Sequence, residues 1–423
     1  MTTLEAASTL ARADTKSRTD TGTSTRIAFL DHIRTLMVLL VIVYHAVAAY
    51  STVAPHWLIH DTSSLVSDIV REWFDVFLMP VLFFVAGYFA LASIEKKGTW
   101  EFLKDKVKRL LIPWALAVLI FTPLAFYDQP VKPVRPFWNY WLQTVGNWQV
   151  RLISPAYGPQ IQSVYWFISL LFAFFALFAL GYTVTRRWRG QPIPPAVRPA
   201  TAGNSTLVTL LLFGLLTSAA YFVSLLLMPD ATWFKLGVFL EFQAPRLALF
   251  VGYFAFGLYT RSRGWFADGK PLGSLAVWGA ISVALSAAYL VILQPLVADL
   301  GGTSRLSVGL VMAFAFVRSF LTLSLLIVLV SAGARYWNRS RGLERQLAET
   351  SYNIYLTHIW FVVVIQEHLM AWTGGFALAK IVIVLVASLV LSFAMSKWVI
   401  GRHPRVFTAA LLALFVFCLA VRP

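Results

Sequence analysis

Residues 29–50 read FLDHIRTLMVLLVIVYHAVAAY, an apolar stretch long enough to cross a bilayer as a helix. It nevertheless carries Asp31, His32, Arg34 and His45. An ionisable side chain within a membrane span costs a few kcal/mol, so those that persist are candidates for function. Arg34 and His45 are eleven residues apart. At about 100° and about 1.5 Å per residue they share one helix face, about 16 Å apart along the axis. One face then presents a fixed cation near one surface of the membrane and a titratable imidazole much deeper.

The rest of the chain has the same character. Of 423 residues, 59% are hydrophobic and only 13% charged, with a mean hydropathy of +0.72. A soluble protein would be nearer a quarter charged, so the composition reads as a polytopic membrane protein. The net charge of +16 does not indicate nucleic acid, because the basic residues lie between apolar runs rather than on one soluble face. Cys418 is the one cysteine, which excludes an intrachain disulfide and a cysteine-based metal site. Arg34, the run Leu36 to Val43 and the small residues Ala46-Val47-Ala48 imitate a secretory signal. His45 interrupts that run and many further spans follow, so the segment is expected to be retained.

Apolar runs predict spans at 30–50, 72–93, 110–127, 163–184, 205–228, 237–260, 272–294, 306–331, 351–371 and 377–397. The expected fold is therefore all-α, a polytopic membrane bundle of 10 transmembrane helices, or 11 if the shorter run 406–421 also crosses. Most of the 35 Lys and Arg fall in alternate segments, notably 94–109, 185–204 and 332–350, while Arg71, Lys235 and Lys380 are among the few opposite. Such a bias places the N-terminus in the cytoplasm. Residues 1–25, rich in Thr, Ser and Ala, read as a disordered cytoplasmic tail. The long outer segment 128–162 carries FWNYWLQ at 137–143, an aromatic cap that anchors in the interface or stacks on sugar rings. The Pro-rich loop 185–204 reads as a flexible connection, and no internal repeat is evident.

Several residues carry chemistry. Arg34 either snorkels to the surface in a pair with Asp31 or holds a phosphate or carboxylate in a cytoplasmic cavity. His45 is either a hydrogen-bonded packing residue or a general base, since an unperturbed imidazole titrates near neutral pH. Lys104, Lys106, Lys108 and Arg109 open the third span, as topological charge or as a polyphosphate site at the inner face. Asp75 near the outer end of the second span, Glu241 and Arg246 in the sixth, and Arg318 in the eighth are buried charges that should pair. Glu241–Arg246 is the nearest pairing and Asp75 the rival partner. His358 is expected about two turns into the ninth span, and Gly87 in FFVAGYF (83–89) permits close helix approach. His56, His60 and Asp61 have metal-like spacing, but no further ligands lie nearby, so no metal is expected.

These residues together resemble a known family. RIAFLDHIRTLMVLLVIVYH (26–45) is similar to the opening of the membrane acyltransferase type 3 family, in which a basic residue precedes the first-span histidine with ten residues between. FFVAGYF is similar to its second-span motif, with Ala86 where a serine is common. VKRLLIP (107–113) resembles its basic entry to the third span, with Lys106 and Arg109 giving K-x-x-R where some members carry R-x-x-R. VYWFISLL (164–171) and SYNIYLTH (351–358) resemble later signatures. YHAVAAYS followed by a His- and Trp-containing loop, and GYFA at 87–90, lean toward the glucan biosynthesis protein C branch, associated with succinylation of periplasmic glucans.

The resemblance covers most of the ten-span core; the expected domain runs over 26–403, with 404–423 either an extra C-terminal span or a helix lying in the interface. It implies transfer of an acetyl or succinyl group from cytoplasmic acyl-coenzyme A, as co-substrate rather than bound cofactor, to a hydroxyl of an envelope glycan, in a multi-pass protein of the inner cell membrane. His45 would be general base or acyl carrier. Arg34, Lys106 and Arg109 would grip the donor phosphates, and Asp31, Asp75, Glu241, Arg246, Arg318 and His358 would support the site. The rival reading is a transporter of a glycan or small anion whose path these charges line.

Overall fold

A computed structural model describes residues 28–125, 136–146, 150–153, 162–189, 204–230, 232–266, 272–298, 307–337 and 342–420. The apolar runs form twelve helices among the described residues: α1 Ala28–Ala46, α2 Leu65–Lys97, α3 Thr99–Leu124, α4 Phe137–Val145, α5 Trp166–Arg189 and α6 Asn204–Leu227, then α7 Leu247–Ser262, α8 Leu275–Ala298, α9 Val308–Tyr336, α10 Gly342–Met370, α11 Ala377–Ala394 and α12 Pro404–Ala420. Residues 1–25 and most of the segments 128–162 and 185–204 lie outside the described residues. α3 contains π-helical turns at Val107–Leu111 and Ala117–Phe121, and another, Met395–Ile400, continues α11.

Among the described residues, eight helices are long and apolar enough to cross a membrane. The chain is thus a multi-pass membrane protein. α7 has only 16 residues, and α10 is diluted by Glu344, Arg345, Glu349 and Glu367, so neither meets that measure. α10 is instead packed between α1 and α11. The apolar windows of α1, α2 and α9 are 67, 67 and 72% buried, against 11% for α8, which places α1, α2 and α9 at the centre.

The sixth span begins later than the apolar run suggests. Residues Trp233–Leu236 (β2) and Leu240–Gln243 (β3) form an antiparallel hairpin that β1, Val150–Ile153, extends into a three-stranded sheet. Gly237, at φ 52°, supplies the turn, a backbone region that side-chain-bearing residues avoid. Pro245 and Arg246 then precede α7, whose first residue is Leu247. Glu241 consequently lies on β3 rather than a turn inside a helix. It pairs with Lys235 directly opposite, at 3.7 Å, with both side chains 1% exposed. The expected Glu241–Arg246 pair is therefore corrected: hydrophobicity counting could not see that an alternating strand preceded the helix.

Two local devices hold the centre together. Gly87 on α2 faces the backbone of Phe254, and Gly257 on α7 faces the backbone of Phe84, so an added Cβ on either would overlap main chain. Close approach of this kind is how membrane helices gain packing contacts without a hydrophobic drive. Pro80 lies inside α2 and removes the N–H that would bond the carbonyl of Val76. The Thr322 hydroxyl of α9 donates to that carbonyl at 3.1 Å, and Arg318 Nη2 donates to the carbonyl of Asp75 at 2.9 Å. Backbone groups freed in an apolar medium must find such partners.

Candidate active site

α1 and α10 run in the same direction. Arg34 Nη2 donates to the carbonyl of Ala348 at 3.4 Å, and Gln366 Nε2 donates to the carbonyls of His45 and Ala46, each at 3.1 Å. Arg34 and His45 thus both face α10, the result their helical spacing anticipates. Arg34 also pairs with Asp31 at 3.2 Å, its side chain 39% exposed.

His45 is 8% exposed and His358 fully buried. Nδ1 of His45 lies 2.9 Å from the carbonyl of Val41, and Nδ1 of His358 lies 2.7 Å from that of Tyr355. A carbonyl has no proton to give, so each Nδ1 carries one. Nε2 of His358 is then an acceptor, and it sits 3.3 Å from Nδ1 of His45. The proton on His45 Nδ1 faces two acceptors, and since a neutral imidazole carries only one N–H, His45 Nε2 in the neutral ring is unprotonated. Trp57 stacks on the His45 ring, with centroids 5.3 Å apart and planes 23° apart, and its Nε1 donates to Gln366 Oε1 at 2.9 Å. The imidazole is held from three sides.

The signature tyrosines place His358. Tyr165 donates to the carbonyl of Leu356 at 2.6 Å, and Tyr355 donates to the carbonyl of Val164. These reciprocal bonds bind the residues just before α5 to α10, two and three residues from His358.

At the other end of α1, Lys106 lies over the rings of Phe175 and Phe102, at 4.3 and 5.2 Å, within electrostatic reach of Arg34. Arg109 is mostly exposed and pairs with Asp105 at 2.8 Å. Arg34 and Lys106 therefore come together, while Arg109 flanks them at the surface.

The buried charges of α2, α7 and α9 form a separate network. Arg246 binds Asp230 through Nε at 2.9 Å and Nη2 at 2.6 Å, and its Nη1 bonds Asp75. Arg318 Nη2 reaches the Asp75 carboxylate at 3.0 Å and Nη1 reaches the Tyr289 hydroxyl at 3.1 Å. Asp75 is thus the partner of both arginines. Burial pushes the Asp230 carboxyl up, but Arg246 and Arg318 hold it well below the usual carboxylate range.

Trp57, Gln366, Arg71 and Asp230 were not singled out as site residues by sequence reasoning. The loop containing Trp57 was noted only for its resemblance, and Gln366 looks like an ordinary polar residue near a helix end. Asp61 bonds Lys380 at 2.6 Å instead of joining His56 and His60, and among the described residues no three His, Cys, Asp or Glu side chains are grouped as metal ligands.

A family model described as an acyltransferase domain matches residues 27–397, from the start of α1 into the π-helical turn after α11. No curated protein and no solved structure matches the chain. With most of its length inside that match and eight helices able to span a bilayer, the chain belongs to this acyltransferase family as a multi-pass membrane enzyme.

Proposed function

We propose that the enzyme moves an acyl group, acetyl or succinyl, from cytoplasmic acyl-coenzyme A to a hydroxyl of an envelope glycan, with His45 as the reacting base. The N-terminus lies in the cytoplasm of a cell with an inner membrane, which puts Arg34, Lys106 and Arg109 on the donor side. The observation that carries the reading is the pairing of His45 with His358 on the helix face that also bears Arg34. The coenzyme is a polyanion, and guanidinium and ammonium groups at that end suit its phosphates. The thioester extends along α1 toward His45.

His45 Nε2 takes the proton of the acceptor hydroxyl as its oxygen attacks the thioester carbonyl. The C–S bond breaks, and the coenzyme leaves as a thiolate that regains the proton from the imidazolium. In a covalent variant the same nitrogen attacks the thioester first and expels the coenzyme thiolate; the acceptor hydroxyl oxygen then displaces the ring nitrogen, which takes the hydroxyl proton and passes it to the thiolate. His358 Nε2 accepts from His45 Nδ1 in both and favours the cationic ring. Fixing donor and acceptor in one cavity removes much of the entropic barrier. A glucan is the acceptor that the resemblance favours.

The test is transfer by the purified protein in liposomes, given radiolabelled acetyl- or succinyl-coenzyme A and a glucan. Label on the glucan supports the reading. Movement of unmodified glucan into the vesicles without any donor, and no labelling with one, would instead establish the transporter reading.

A further inference from the structure

Arg71 of α2 is 5% exposed, and its guanidinium lies 4.4 Å from the centroid of the Tyr44 ring. Its Nη1 is buried and has no hydrogen-bond partner, and no described carboxylate forms an ion pair with it. The contrast with its neighbours is sharp. Arg246 and Arg318 share Asp75, and Asp68, one turn before Arg71, is taken by Ser51 and Thr52. Glu72, the next residue along, projects about 100° further round the helix; its carboxyl is within electrostatic reach of Arg71 but forms no ion pair or hydrogen bond with it. A buried donor left without an acceptor is costly, the more so on a charged group, so an arginine kept in this state is suited to an anion from outside the chain.

The surroundings say where that anion would sit. The Tyr44 ring that carries Arg71 also meets the His45 ring edge-on, with centroids 5.2 Å apart. Arg71 lies within electrostatic reach of both His45 and His56. His56 Nδ1 is itself buried without a partner. The group therefore stands beside the reacting ring and is separate from Arg34 and Lys106, which lie at the opposite end of α1.

We propose that Arg71, with His56 at its edge, forms a carboxylate-binding subsite beside His45 that holds a negatively charged group on one of the two reactants. That group is the free carboxylate of a dicarboxylic acyl donor or the carboxylate of an acidic sugar acceptor. A planar guanidinium with free N–H groups matches a carboxylate in shape and charge, and in a water-poor site the contact orients the reactant against His45. The inference rests on the acyltransferase reading for its substrate classes, but the subsite is testable without turnover.

The experiment follows thermal unfolding of the full chain in nanodiscs against succinate, glucuronate and the neutral isostere succinamide. One of the two anions should stabilise the wild type more than succinamide does. Succinate alone points to the acyl group, and glucuronate alone to the acceptor. The concentration dependence should show Arg71→Met binding that anion about tenfold to a hundredfold more weakly. Acetyl-coenzyme A, which has no second carboxylate, should stabilise Arg71→Met as it does the wild type and so shows that the variant is folded. Should Arg71→Met not fold, Arg71→Lys decides, because it keeps the charge, loses the fork and should weaken binding by about tenfold. No preference for either anion over succinamide, or undiminished binding in the variants, would overturn the proposal. Anion binding that depends on Arg71 in a protein that transfers no acyl group would retain the subsite and remove the enzymatic reading.

Discussion

Nε2 of His358 lies 3.3 Å from Nδ1 of His45, across two helices that meet in parallel although 313 residues separate the two side chains. The tautomers that follow from Val41 and Tyr355 make His358 the acceptor and free His45 Nε2 for chemistry. His358→Gln should therefore lower kcat by roughly tenfold to a hundredfold, within the range that acid–base positioning supplies, and leave the donor KM unchanged. The pH profile of kcat should shift with it. Steady-state kinetics across pH checks this; an unchanged profile would reduce His358 to packing.

The loop after α1 is fastened to α11 by one ion pair. Burial alone would raise the Asp61 carboxyl, but the Lys380 ammonium at 2.6 Å, together with hydrogen bonds from Thr62, more than reverses this and holds it below its usual range. Lys380 has a side chain 2% exposed. Asp61→Asn strands that ammonium and should cost up to about 3 kcal/mol of stability. The double variant Asp61→Asn, Lys380→Met should recover most of the loss. Thermal unfolding of the wild type, both singles and the double variant measures the coupling.

His56 makes stability depend on pH. Burial first, and the Arg71 charge second, push its pKa down to about 4 from the ordinary histidine value of 6.5. The unfolded chain then binds more protons than the folded one between those two values, so stability falls as pH drops from about 6.5 toward 4 and levels off below. The contribution is at most about 3 kcal/mol. His56→Gln should flatten that part of the curve of unfolding temperature against pH. An identical acid slope in the variant would assign the loss to other groups.

Much of the fold was legible because a bilayer demands long apolar runs, and those survive as helices even where their ends shift. The Arg34–His45 relation was legible for the same reason: both lie on one regular helix, where spacing alone fixes the face. What sequence could not show were relations across elements. Asp75 was read as a rival partner for Arg246, yet Asp230, in the turn after α6, completes that network and carries no signal of its own. Glu241 was misplaced because Trp233 to Gln243 is apolar enough to be merged into a span, although Gly237 and Pro245 both mark breaks. Trp57 and Gln366 escaped notice because an indole and an amide gain their meaning only from the ring and carbonyls they touch. Arg71 was counted as an outer-side charge, and only the lack of a partner for its buried guanidinium sets it apart.

The central claim is that His45 Nε2 performs the transfer. The direct measurement is the rate at which purified protein in liposomes moves radiolabel from acyl-coenzyme A to a glucan, compared between wild type, His45→Ala and His45→Gln. Both substitutions should reduce transfer by about 100-fold or more while acyl-coenzyme A binding, proposed to fall to Arg34 and Lys106, persists. Transfer by His45→Ala at the wild-type rate would contradict the account.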